Sequence, residues 1–144
     1  YGIPIKTGIP GLTHLFPGPE TFSALRGPAE SSLGPLGITV RRSRTILELA
    51  RAVSRKEIHF GLCSAPEEEM KKLMTIPGIG NWTAQYIAMR TMQWTDAFLE
   101  TDTGIKKALG GRTSKEMYKM AEAWRPWSSY ATISLWNNYK RRII

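Results

Sequence analysis

From residue 42 onward, apolar positions recur at three- and four-residue spacing, the pattern of helices with one inward face. Ile46, Leu49, Ala50 and Val53 share a face of a helix predicted over residues 42–54. Ser64-Ala65-Pro66-Glu67 reads as a capping box with proline just inside the next helix. That helix is expected to turn Met70, Leu73 and Met74 inward and to stop at Pro77-Gly78. Another is predicted from Asn81 to about Met92, followed by a connector carrying Trp94 and Ala97-Phe98-Leu99. Asp102 suits the N-cap of a helix through Leu109, which Gly110-Gly111 would end. Thr113-Ser114-Lys115-Glu116 is a second capping box, opening a helix to about Trp124. Pro126 is placed at the start of the last helix, which runs to about Tyr139. No stretch of this half sustains the period-two alternation of a strand.

Residues 1–40 differ. Tyr1-Gly2-Ile3-Pro4-Ile5 and Gly8-Ile9-Pro10-Gly11-Leu12 read as extended, turning chain, and Leu33-Gly34-Pro35-Leu36-Gly37 as a loop. A short helix is expected near residues 20–26, after Pro17-Gly18-Pro19. The predicted fold class is all-α. An irregular Gly/Pro-rich part (1–40) and a helical part (41–144) are expected to form one domain.

Composition narrows the partners. The 144 residues are 42% hydrophobic and 22% charged, ordinary for a globular chain with a real core. No apolar run approaches the roughly 20 residues of a membrane span, and no membrane partner is expected. Nothing at the start resembles a signal peptide. Cys63 is the single cysteine, so an internal disulfide and a four-cysteine zinc or iron–sulfur site are excluded. A cytosolic, reducing setting is expected. The net charge of +8 points to a polyanionic partner, of which nucleic acid is the commonest.

The break at Ile76-Pro77-Gly78-Ile79-Gly80 has a use beyond turning the chain. Pro77 blocks helical continuation, while Gly78 and Gly80 can take positive φ and expose backbone without a side chain in the way. Free amides at the next helix's start form an anion nest, to which Thr83 would add a hydroxyl. A DNA phosphate fits there without any base being read. The same residues also suit a plain turn between packed helices.

Three blocks carry a resemblance. They are Ile76-Pro77-Gly78-Ile79-Gly80-Asn81-Trp82-Thr83-Ala84-Gln85-Tyr86, then Asp96-Ala97-Phe98-Leu99-Glu100-Thr101-Asp102, then Ala121-Glu122-Ala123-Trp124-Arg125-Pro126-Trp127-Ser128-Ser129-Tyr130-Ala131. Over roughly residues 33–139 the chain resembles the helix-hairpin-helix DNA glycosylases, and within them the 3-methyladenine DNA glycosylase II (AlkA-type) family. The resemblance implies a base-excision repair enzyme acting on alkylated purines in double-stranded DNA. It implies Asp102 as the catalytic carboxylate, stabilising an oxocarbenium-like transition state, a role compatible with capping a helix. Strand-cutting members carry a Lys where this chain has Trp82, 20 residues before Asp102 (102 − 82 = 20), so a monofunctional enzyme using water is implied. Trp82, Tyr86 and Trp136 match the family's pocket for a flipped base; Tyr86 and Trp136 equally suit a helix-face core, whereas for Trp82 the pocket is favoured over the core. Trp124 and Trp127 are read as structural.

The family's hairpin also holds a monovalent cation, Na⁺ or K⁺, through backbone carbonyls. By position these are Met74, Ile76 and Ile79. No cofactor is otherwise implied, and the iron–sulfur cysteines are absent. The family's preceding helical segment and mixed α/β domain have no counterpart here, so a missing N-terminal segment or a partner chain is expected. A bacterial source would place the protein at the nucleoid in the cytoplasm, a eukaryotic one in the nucleus. The alternatives are a non-catalytic helix-hairpin-helix DNA-binding module and a structural helical domain. His14 and His59 are read as isolated. Glu67-Glu68-Glu69 is read as a run complementing a helix dipole, and Lys140-Arg141-Arg142 as a phosphate contact or a solvated tail.

Overall fold

The computed structural model describes residues 1–62 and 65–141. Cys63, Ser64 and Arg142 lie outside the described residues, as do the side chains of Lys140 and Arg141. The chain is mostly helical, as expected, and it divides into two compact units.

The first unit holds residues 1–58 together with Ile76–Gly78. Its N-terminal part is more regular than the Gly/Pro content suggests. β1 (Ile3–Pro4) and β2 (His14–Leu15) pair antiparallel, with Ile3 opposite Leu15. α1 (Pro19–Ser23) and α2 (Ala29–Leu33) both pack on α3 (Val40–Ser54). Leu33 and Leu47 form the buried centre, with Phe22, Leu25, Ile38 and Ile46 around them. The buried face of α3 carries Ser43, Leu47 and Ala50, whereas Ile46, Leu49 and Val53 are not fully buried. The face is therefore turned from the predicted one. A polar Ser43 is admitted because its hydroxyl reaches the Ile38 carbonyl at 3.4 Å, a partner that periodicity cannot show.

The second unit holds residues 59–75 and 79–144. α4 (Pro66–Met74) packs on α5 (Asn81–Thr91), and α6 (Thr103–Ala108) packs on α8 (Ser128–Arg141). α7 (Ser114–Glu122) opens with the predicted Thr113–Glu116 capping box. The core gathers Met89, Ala97, Phe98, Leu99, Ile105, Met117 and Ala121. Met70 and Leu73 point inward as expected, but Met74, in the last position of α4, is 40% exposed. α8 begins two residues beyond Pro126, which follows a cis Arg125–Pro126 bond. The N-cap of α4 is Ala65, with no side-chain capping bond.

Two polar residues do more than their sequence readings assign. Glu67, Glu68 and Glu69 lie in the first turn of α4, and Glu69 is in addition buried. It accepts from Lys72 Nζ at 2.6 Å and from the His59 amide at 3.0 Å. His59 is therefore not isolated; its Nδ1 also lies 4.0 Å from that carboxylate. Burial alone would raise the Glu69 pKa, but the Lys72 and His59 hydrogen bonds and charges outweigh it and leave the carboxyl below its ordinary range. Among the described residues, no helix is long and apolar enough to cross a membrane.

Candidate active site

α4 and α5 are joined by residues 75–80. Of the two hairpin glycines, only Gly78 takes positive φ, at +98°. Within the first unit, Thr45 Oγ1 donates to the Pro77 carbonyl at 2.7 Å, and a Cβ on Gly78 would collide with that hydroxyl. Two independent constraints thus select glycine there. Gly80 does not use that freedom. It is extended (φ −99°, ψ 179°) because it is the N-cap of α5. Its contribution is the missing side chain: α5 has no side-chain cap, and nothing occupies the space a Cβ would enter. The first-turn amides stay open to an external anion, with Thr83 half-buried in the same turn. Among the described residues, no backbone amide outside the helical ladders donates to the carbonyls of Met74, Ile76 or Ile79.

In the second unit, Asp102 caps α6, its Oδ1 accepting from Ile105 N at 2.9 Å. Two indoles also donate to this carboxylate. Trp136 Nε1 reaches Oδ1 at 2.9 Å from α8, and Trp82 Nε1 reaches Oδ2 at 3.2 Å from the first turn of α5. An ionised carboxylate is acceptor-only, so all three N–H groups find lone pairs and Oδ2 keeps one to spare. Trp82 and Tyr86, one helical turn apart, stack with centroids 5.4 Å apart and planes 4° from parallel. Trp136 lies 6.1 Å from Tyr86, tilted by 54°. Tyr86 and Trp136 pack against the buried core, while Trp82 is 37% exposed and outside that cluster. The four residues singled out from the sequence are thus brought together in one constellation.

The motif around Trp124 positions the connector that leads to Asp102. Asp96, to which the sequence alone assigns no role, accepts from Arg125 Nε and from Ser128 Oγ, both at 2.6 Å. That carboxylate raises the Arg125 pKa still further. Ser129 Oγ donates to the Trp94 carbonyl at 2.6 Å and accepts from Ala97 N at 3.0 Å. Connector backbone is thereby fixed by side chains at the head of α8. Trp124 packs edge-on against Phe98, consistent with a structural role, but Trp127 is 57% exposed against Tyr130.

Further residues of the site have no role that the sequence shows. Asn81 Nδ2 donates to Glu100 Oε1 at 2.8 Å, and Asp102 N closes a turn to Leu99 O at 3.0 Å. Consecutive residues of α5, Asn81 and Trp82, therefore hold Glu100 and Asp102. Gly104 lies in close approach to the carboxylate. A Cβ there would lie 3.1 Å from Asp102 Oδ1 and 3.4 Å from Trp136 Cδ1. Neither arrangement has a local sequence signature. A cavity of about 250 Å³ lies elsewhere in this unit, between Gln85, Asp96, Tyr118 and Arg125 among others, and Asp102 does not line it. The hydrogen-bonded constellation, not cavity size, marks the candidate site.

No protein-family model matches the chain. Curated relatives do. The chain is 37% identical over 121 residues to the DNA-3-methyladenine glycosylase 2 of Escherichia coli, across 84% of this chain and 42% of that protein. It is 33% identical over 147 residues to a probable bifunctional transcriptional activator/DNA repair enzyme AlkA of Mycobacterium tuberculosis, across 99% of this chain and 28% of that protein. It is 29% identical over 131 residues to a DNA-3-methyladenine glycosylase of Bacillus subtilis, across 85% of this chain and 42% of that protein. The chain thus spans less than half the length of each of these relatives.

Proposed function

The chain belongs to the AlkA-type DNA-3-methyladenine glycosylase family, and we propose that the protein hydrolyses the N-glycosidic bond of alkylated purines in double-stranded DNA. The observation that carries this reading is the Asp102 carboxylate, gripped by three N–H donors beside an exposed indole. As the bond from C1′ to the base nitrogen breaks, the base leaves with the electron pair and positive charge develops on the deoxyribose. A fixed carboxylate stabilises that charge without reorganising. The spare Oδ2 lone pair orients the water that adds to C1′ and takes up its proton.

The base must first leave the duplex stack. One face of Trp82 is covered by Tyr86, so its exposed face is where a flipped base would stack, with Trp136 as the neighbouring wall. A cationic alkylated purine gains cation–π attraction from such rings. Trp82 offers a donor N–H and no nucleophilic amine, which supports a monofunctional enzyme with no Schiff-base step. The uncapped amides of α5 and Thr83 would hold a backbone phosphate beside Gly80. The carbonyls of Met74, Ile76 and Ile79 are neutral oxygen donors with no such amide partner among the described residues, which fits a monovalent cation. When bound, Na⁺ or K⁺ would add fixed positive charge near the DNA backbone.

Asp102→Asn tests this. The asparagine keeps one oxygen for Ile105 and Trp136 and turns an amide NH2 donor toward the Trp82 N–H. Release of 3-methyladenine from alkylated duplex should fall by at least about a hundredfold, while duplex binding is retained. Unchanged release would sink Asp102 as the catalyst. A wild-type chain that binds duplex without releasing base would instead be a DNA-binding module.

A further inference from the structure

We propose that the groove at the head of α3 is a second site for nucleic-acid backbone phosphate, recognised by Arg41 and Arg42. This rests on the glycosylase reading, which supplies DNA as the polyanion. The groove lies within the first unit, has a volume of about 430 Å³, and is lined by Thr39, Arg41, Arg42, Thr45, Ile46 and Gly78. Among the described residues no carboxylate lines it. Both guanidinium groups are on exposed residues, and among the described residues neither has an acidic partner or a side-chain hydrogen bond.

The placement opposes the helix that carries it. Cations at a helix N-terminus face the positive end of the macrodipole, and the first turn of α3 holds no acidic residue to offset them. Residues that conflict with local stability mark functional positions. The helix end itself is not the anion site, because Thr39 already caps it: Thr39 Oγ1 accepts from Arg42 N and Thr39 O from Ser43 N. Thr45 Oγ1 is engaged by the Pro77 carbonyl. Among the described residues, the two guanidinium groups are therefore the charged donors that the groove offers. Planar guanidinium matches two phosphate oxygens at once and keeps its charge at any physiological pH. The groove is wider than a single phosphate ion needs, which suits a backbone strand crossing it and no base readout.

The test is fluorescence anisotropy with undamaged duplex DNA across a salt series. It compares the wild type, Arg41→Ala/Arg42→Ala, Arg41→Lys/Arg42→Lys, and a charge-matched control, Lys115→Ala/Lys119→Ala. The alanine pair should flatten the log–log salt slope by about 2, at about 0.9 for each phosphate no longer neutralised. The lysine pair should keep most of the slope and the control all of it. Thermal melting of the alanine pair should be unchanged or raised, because a dipole conflict is removed; a merely structural role would lower it. A wild-type slope in the alanine pair overturns the site, as does an equal loss in the control. If inorganic phosphate binds in an Arg41/Arg42-dependent way while duplex affinity does not, the groove takes free anions and the DNA assignment falls. A wild type that binds duplex but fails these comparisons loses the groove and keeps the glycosylase reading. One that binds no duplex at all loses both.

Discussion

Gly104→Ala separates the stability of the Asp102 constellation from its chemistry. Gly104 lies inside α6, so alanine gains about 0.5–1 kcal/mol of helix propensity. Against that, the new Cβ would sit 3.1 Å from Asp102 Oδ1, closer than ordinary van der Waals separation, and 3.4 Å from Trp136 Cδ1, at its lower edge. The carboxylate must give by a few tenths of an ångström. That weakens the Asp102 cap on Ile105 N, a bond worth about 1 kcal/mol. The two terms nearly cancel, so the melting temperature should stay within about 3 °C of the wild type. Catalysis has no such compensation. A displacement of about 1 Å can cost about a hundredfold, so a few tenths should cost about fivefold, or about 1 kcal/mol of transition-state stabilisation. Single-turnover release of 3-methyladenine from an alkylated duplex reads the rate, and calorimetry reads the fold. A rate within about twofold of wild type refutes the reasoning, since Asp102 would then tolerate the displacement.

Other positions carry independent expectations. Thr132 Oγ1 is buried without a hydrogen-bond partner among the described residues. Thr132→Val keeps the shape and removes the orphan hydroxyl, and should raise the melting temperature by about 3 °C, from about 1 kcal/mol; a drop in calorimetry would mean that the hydroxyl is satisfied. The Glu69 carboxyl has a folded-state pKa below its ordinary 4.5, so its stabilisation is present above pH 4.5 and is lost as pH falls through the folded value. Glu69→Gln should melt lower than the wild type at neutral pH and converge with it in acid. Parallel melting curves across that window would show that the ion pair contributes no linkage.

The helices are legible in the sequence because their signals are local. The Thr113–Glu116 capping box, the proline–glycine break after α4 and Asp102 as an N-cap each act within one turn of chain. The N-terminal ribbon is not legible, because two-residue strands carry no period and exist only through pairing across a turn. The inward face of α3 departs from its apolar spacing for a related reason: Ser43 is buried on the strength of a carbonyl it meets in space. A glycine at position 80 permits left-handed backbone, yet an N-cap requires extended backbone. Apolar spacing puts Met74 inside, yet it ends its helix exposed.

Sequence by itself determined the all-α class, the break between α4 and α5, and the residue types at positions 82, 86, 102 and 136. Tertiary structure alone decided that the two indoles donate to one carboxylate from helices that meet only in the fold. It also decided that Asn81 and Glu100 pair, that Asp96 anchors the connector, and that Gly104 makes room for Asp102. The physical reason is range. Caps and helix breaks arise from backbone bonds three or four residues apart, whereas these hydrogen bonds join positions 19 to 34 residues apart, with Gly104 beside its cap as the local exception.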